Sequence, residues 1–229
     1  MYEKMKETIA SFEETIKSDK LKRLFDNCFY NTLDTTIEYL DDGSVYMLTG
    51  DIPAMWLRDS SASVLQYIEF AKEDEDVFNL IKGLIKRQFF YISIDPYANS
   101  FNRDPNGHGH TQDEGERTPY TWERKFEIDS LCYPIWLIYK LYKVTGRKEI
   151  LDSEFVKTCK IIIDVFKKEQ KHHELSDYYH YREGEREGFN IPNHGHGGDI
   201  KYTGMIWSGY RPSDDACKYG YFIPGNMFA

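Results

Sequence analysis

Asp214 and Asp215 follow Ser208-Gly-Tyr-Arg-Pro-Ser, a stretch of turn-forming residues with Arg211 just upstream. Neighbouring carboxyls beside one guanidinium suit two different environments. Burial keeps one protonated, while the other stays ionised against the arginine. A protonated carboxyl can deliver its proton to a departing oxygen, which is general acid chemistry. A helix cap followed by a first-turn acid is the plainer explanation of the same residues, because carboxylates favour helix N-termini.

Two further loops hold groups of the right kind. Thr49-Gly-Asp-Ile-Pro-Ala-Met-Trp-Leu-Arg-Asp59-Ser60 gathers Asp51, Trp56, Arg58 and Asp59. A carboxylate can accept from two adjacent hydroxyls of a sugar, and a guanidinium can hold that carboxylate or donate to the sugar itself. Trp56 offers a stacking face. Capping by Asp59 or Ser60, with Arg58 paired to Asp59, accounts for the same residues without a ligand. Asn193-His-Gly-His-Gly-Gly-Asp199 and Asn106-Gly-His-Gly-His110 pose a metal question, with Asp199 or Asp113 as a further ligand. Their spacing matches no closed zinc site, and histidines in glycine-rich loops equally hydrogen-bond a sugar or the loop backbone.

These loops need a rigid frame. Apolar residues recur at helical spacing over Lys4–Ile16, Leu21–Leu33, Ser60–Ala71, Val77–Ile92, Phe126–Val144 and Ser153–Lys168. Each stripe needs a partner to bury it, so helix-on-helix packing follows. Asp42-Gly43 before Ser44–Leu48 reads as a hairpin, and His180–Arg182 as another short strand. The long loops 49–57, 95–121 and 183–217 separate helix pairs, and loops of that length in a compact domain usually carry function.

Composition limits the partners. The 229 residues carry a net charge of -9 without a basic cluster, which disfavours nucleic acid and anionic membrane surfaces. No run approaches a membrane span, and the charged N-terminus shows no signal peptide, so a cytoplasmic protein is expected. The four cysteines stand at no metal spacing and read as reduced thiols. Aromatics make up 16% of the chain, enough for a core and for sugar-stacking faces as well.

Three long motifs, Gly50–Ser60, Trp122–Pro134 and Trp207–Tyr221, together resemble glycoside hydrolase family 125, the exo-α-1,6-mannosidases of bacteria and fungi. The resemblance covers about Leu21 to Ala229. It implies an all-α (α/α)6 toroid of twelve helices, with only its first half here. Residues 1–229 are then the N-terminal part of a single catalytic domain. It implies release of terminal α-1,6-linked mannose with inversion, a mannose-containing oligosaccharide as partner, and no metal or other cofactor. The general acid falls in the Arg-Pro-Ser-Asp-Asp loop and is placed on Asp214, because related helical-toroid glycosidases carry it soon after a Ser-Gly pair, just before a helix. Asp215 stays open for that role and otherwise joins the substrate-binding residues. Arg58 and Asp59 are implied to hold the terminal mannose, with Trp56, Glu127 and Arg211 lining the pocket.

Members of that family are about twice as long. Their general base, a glutamate of the C-terminal half, has no counterpart here. Inverting chemistry needs acid and base roughly 6.5–9.5 Å apart with a water between. The expectation is therefore a chain with the acid and without the base. The alternative is an inactive truncated relic or weak sugar-binding fragment, with apolar faces left uncovered.

Overall fold

The computed structural model describes residues 1–186 and 188–229; Glu187, inside the long loop 183–217, lies outside the described residues. Helices dominate: α1 Glu3–Glu13, α2 Asp19–Thr35, α3 Leu57–Ser63, α4 Glu75–Ile94, α5 Ile128–Thr145, α6 Ser153–Glu169, α7 His172–Leu175 and α8 Ile223–Phe228. The periodic stripes at 21–33, 77–92, 126–144 and 153–168 fall within a few residues of α2, α4, α5 and α6. Local chemistry fixes several of their ends. The buried Asp74 carboxylate accepts from the Asp76 and Val77 N–H groups at the start of α4, and its other oxygen accepts from Met5 N in α1. Single carboxylates of this kind satisfy donors that a helix terminus leaves open. Asp152 does the same for α6, and Gly146 ends α5 in the left-handed conformation.

One expected helix splits. The stretch 60–71 is the end of α3 followed by a 3-10 segment, Leu65–Lys72. The Ser60 and Ser61 hydroxyls donate back to the Leu57 carbonyl, and the buried Gln88 amide donates to both hydroxyls. Such back-bonding competes with a regular helix.

The class is not purely α. β1 Ile37–Tyr39 and β2 Val45–Met47 form the hairpin expected around Asp42-Gly43, and α4 crosses it closely at Gly83. β3 Met55–Trp56, β4 Ser100–Phe101 and β6 Thr121–Glu123 form a three-stranded sheet in the order β3-β4-β6, while β5 Asp113–Glu114 pairs with β7 Tyr181–Arg182. Strands of two or three residues are too short to show a period, so they were not legible in the sequence apart from the hairpin and β7.

The core runs along α3, α4, α5 and the 3-10 segment. Many aromatics end there: Tyr91 stacks on Phe101 at 4.5 Å, and Tyr67, Phe78, Phe126, Trp207 and Tyr210 are fully buried. Among the described residues no helix is long and apolar enough to cross a membrane. The cysteines are unpaired; Cys132 and Cys217 are buried, but Cys28 is exposed.

Candidate functional site

The sheet order decides which helix starts become neighbours. β3 leads directly into α3, and β6 leads through residues 124–127 into α5. With β4 between them, the first turns of α3 and α5 lie side by side. Arg58, in the first turn of α3, therefore reaches across to α5. Its Nη1 donates to Glu127 Oε2 at 2.6 Å and to Asp129 Oδ2 at 3.0 Å. Its Nη2 donates to the Pro212 carbonyl at 3.2 Å. One guanidinium thus joins α3, α5 and the loop that carries the aspartate pair.

Two carboxyls share that guanidinium, and both are buried. Burial pushes Glu127 up to about 8 from the ordinary 4.5, against the pull of Arg58 and with help from Asp129. Asp129 is also raised, first by burial. Glu127 Oε1 and Asp129 Oδ1 are buried without a hydrogen-bond partner. A single positive charge cannot hold two desolvated negative ones, so the pair keeps a proton near neutral pH. The folded state holds that proton at pH values where the unfolded chain has lost it, so the protonated carboxyl's contribution is full below pH 4.5 and is lost as pH rises through about 8. A Glu127→Gln variant is expected to flatten this decline in urea-unfolding stability between those limits. An unchanged slope would show that the pair is ionised throughout.

The aspartate loop is a tight reversal. Tyr210 bridges Ala216, and Tyr210 N donates to the Phe126 carbonyl, which ties the loop to the entry of α5. Asp214 sits at its tip with φ +63°, in the left-handed region. This corrects the expectation that the acid precedes a helix: the next helix, α8, starts only at Ile223. The capping explanation of the pair falls with it.

Within the loop the neighbours differ. Asp215 accepts from Ser213 Oγ and from Arg211 Nη2, each at 2.7 Å, and these bonds hold its carboxyl below the usual range. Asp214 has neither contact. Its Oδ1 is buried without a hydrogen-bond partner, and burial pushes the carboxyl up, with Lys125 and Arg58 pulling down and Glu123 and Asp59 pushing up.

Of the residues singled out in the sequence, the structure groups Arg58, Glu127 and the 211–215 loop directly. Asp59 is half exposed, with an oxygen 3.8 Å from Arg58 Nε. Trp56 ends β3 and is partly buried; its backbone N–H donates to Thr49 Oγ1. Arg211 is half exposed and turned to Asp215. The histidine loops disperse: His194 stacks on Tyr181 and bonds Glu114, while His196 stacks on Tyr179. Among the described residues no group of three or more His, Cys, Asp or Glu is placed to hold a metal ion.

Several residues next to Asp214 were missed. Lys125 Nζ is 4.0 Å from Asp214 Oδ1, and Asp129 shares Arg58 with Glu127. Both lie inside the motif Trp122–Pro134, where charged residues beside apolar ones at the start of a helix were the available signal.

Comparison with known proteins identifies the family. Residues 18–229 match the model of the metal-independent alpha-mannosidase family, GH125. The Meiotically up-regulated gene 157 protein of Schizosaccharomyces pombe is 32% identical over 244 residues, covering 97% of this chain and 48% of the yeast protein. A metal-independent alpha mannosidase of Streptococcus pneumoniae, solved in a non-productive complex with alpha-1,6-mannobiose, is 47% identical and superposes with a TM-score of 0.87. That match covers 90% of this chain and 49% of the streptococcal one, so the chain spans about half the length of the relatives it matches. With a match of this extent, and with the motifs that carry the Arg58 clamp and the Asp214 loop inside it, the chain belongs to the GH125 family of metal-independent alpha-mannosidases.

Proposed function

We propose that this chain forms the acid-bearing half of the active site of an exo-acting hydrolase that releases terminal α-1,6-linked mannose with inversion. One observation carries the reading: on one turn, Asp215 is hydrogen-bonded to Arg211 and Ser213, while Asp214 Oδ1 is buried without a hydrogen-bond partner. Asp215 is ionised against Arg211 and Ser213, while Asp214 is raised by burial at the tip of the same turn. A carboxyl kept protonated by burial is the form a glycosidase general acid needs. Asp214 then protonates the glycosidic oxygen. Trp56, Asp59 and Arg211 line the sugar pocket, and Arg58 with Glu127 supports the sugar from behind. The substrate class is taken from the streptococcal relative, which was solved with alpha-1,6-mannobiose.

On this reading residues 1–229 are the N-terminal part of one (α/α)6 domain. The water-activating base comes from the part of the domain that lies outside the matched half of the relatives. An apolar groove along α5 and α6 supports the division. It is lined by Leu131, Ile135, Trp136, Ile163 and Phe166, and Ile163 and Tyr139 on its walls are about half exposed. Further helices of a toroid would cover such a face. Incubation of the full-length protein with α-1,6-mannobiose, followed by NMR of the released mannose, tests the reading. β-Mannose as the first product is expected; no hydrolysis, or α-mannose first, overturns it.

A further inference from the structure

Behind Asp214 stands a buried charge cluster that the reading above does not use. Lys125 has 6% of its surface exposed. Its ammonium lies 3.4 Å from Glu123 Oε1, over the Tyr210 ring at 5.2 Å, and 4.0 Å from Asp214 Oδ1. Glu123 accepts from Arg182 Nη2 at 2.6 Å and from Asn99 Nδ2 at 3.0 Å. Arg182 in turn donates to Asp113 at 2.5 Å across the β5–β7 pair, and His180 bonds Tyr210 at 2.7 Å with its other nitrogen 3.5 Å from Asp113. A buried ammonium needs counter-charge and neighbours that hold it in place. Here two cations, Lys125 and Arg182, stand against two anions, Glu123 and Asp113.

Asp214 meets this cluster at its lysine corner. The other charged groups near it are Arg58 and Asp59 from α3, with Glu127 and Asp129 behind Arg58. On its own turn are Arg211 and Asp215, which pair with each other, and His110 stands 3.8 Å from Glu123 on the far side. Asp214 Oδ1 is shut away although the side chain as a whole is half exposed.

We propose that Lys125 is a positioning residue whose charge faces Asp214 Oδ1 across 4.0 Å and leaves Oδ2 for the leaving oxygen, and that the Lys125–Glu123 pair sets the pH at which this carboxyl loses its proton. Its catalytic consequence rests on Asp214 being the acid; the electrostatic coupling itself does not. Deleting the lysine charge leaves the cluster net negative and holds the proton on Asp214 more tightly. Deleting the glutamate charge leaves it net positive and loosens the proton. Opposite signs from two neighbouring buried positions are not what a purely structural role produces.

The test is a carbon-13 NMR titration of aspartate carboxyls in the full-length protein, with the Asp214 signal assigned by its loss in Asp214→Asn. Lys125→Met is expected to move the Asp214 midpoint up by about one pH unit or more, and Glu123→Gln to move it down. Lys125→Arg is expected to keep it near the parent value. Where mannose release is measurable, the alkaline limb of its pH profile moves with the midpoint, because an acid must be protonated to act. If Lys125→Met does not fold, the downward shift in Glu123→Gln decides the matter alone. Shifts of the same sign in both variants, or no shift in Glu123→Gln, overturn the proposal. Opposite shifts without any mannose release sink the mannosidase reading and leave the coupling standing.

Discussion

An Asp214→Asn form of the full-length protein is expected to cleave α-1,6-mannobiose about a hundred- to ten-thousand-fold more slowly, with little change in KM. The amide has the same shape but no proton to deliver to the glycosidic oxygen. The deficit depends on how badly the leaving group needs that proton. A mannoside with an acidic aryl leaving group departs as a stable anion, so its cleavage is expected to suffer much less. Asp215→Asn provides the contrast. Its carboxylate is already committed to Arg211 and Ser213, so its loss disturbs the turn and affects both substrates alike. Equal deficits on both substrates for Asp214→Asn, or a larger loss for Asp215→Asn on the disaccharide, would remove Asp214 from the acid role.

The second large effect is on stability. Arg58→Met is expected to destabilise the fold by about 3–5 kcal/mol, because removing one partner of a buried ionic group leaves the others uncompensated. Here two carboxyls are stranded at once, Glu127 with none of its side chain exposed and Asp129 with 5%. Ser130 Oγ still donates to Glu127, but a hydroxyl cannot replace a guanidinium. For a chain of this size the melting temperature falls by roughly 10 °C. Urea unfolding measures the loss. The triple variant Arg58→Met, Glu127→Gln, Asp129→Asn is expected to recover much of it, since neutral amides do not need the cation. A loss below about 1 kcal/mol for Arg58→Met would mean that the clamp behaves as an exposed surface pair.

This clamp also shows where sequence reasoning runs out. Arg58 was legible as a site residue from the residue types of its loop, and Glu127 only through the family resemblance. Their mutual bond was not, since only the β3-β4-β6 sheet brings α3 beside α5, and that sheet is built from strands too short to leave a pattern. The four long helices were legible because burial of one face imposes a period of 3.6 residues. The 3-10 segment after Ser63 was not, because the hydroxyls of Ser60 and Ser61 and the Gln88 amide change the backbone without changing the apolar spacing. The choice between Asp214 and Asp215 could not be made from adjacent identical residues. It depends on which of them the turn directs toward Arg211.

The backbone at residue 214 has an evolutionary corollary. A left-handed conformation there admits glycine and asparagine about as readily as aspartate, and disfavours β-branched side chains. Asparagine is also a single nucleotide away from aspartate. If Asp214 is the acid proposed above, its replacement by asparagine is expected to remove cleavage while leaving the turn intact. A homologue that retains arginine and glutamate at 58 and 127 but carries Asn or Gly at 214 is then expected to be a mannose receptor made from a hydrolase.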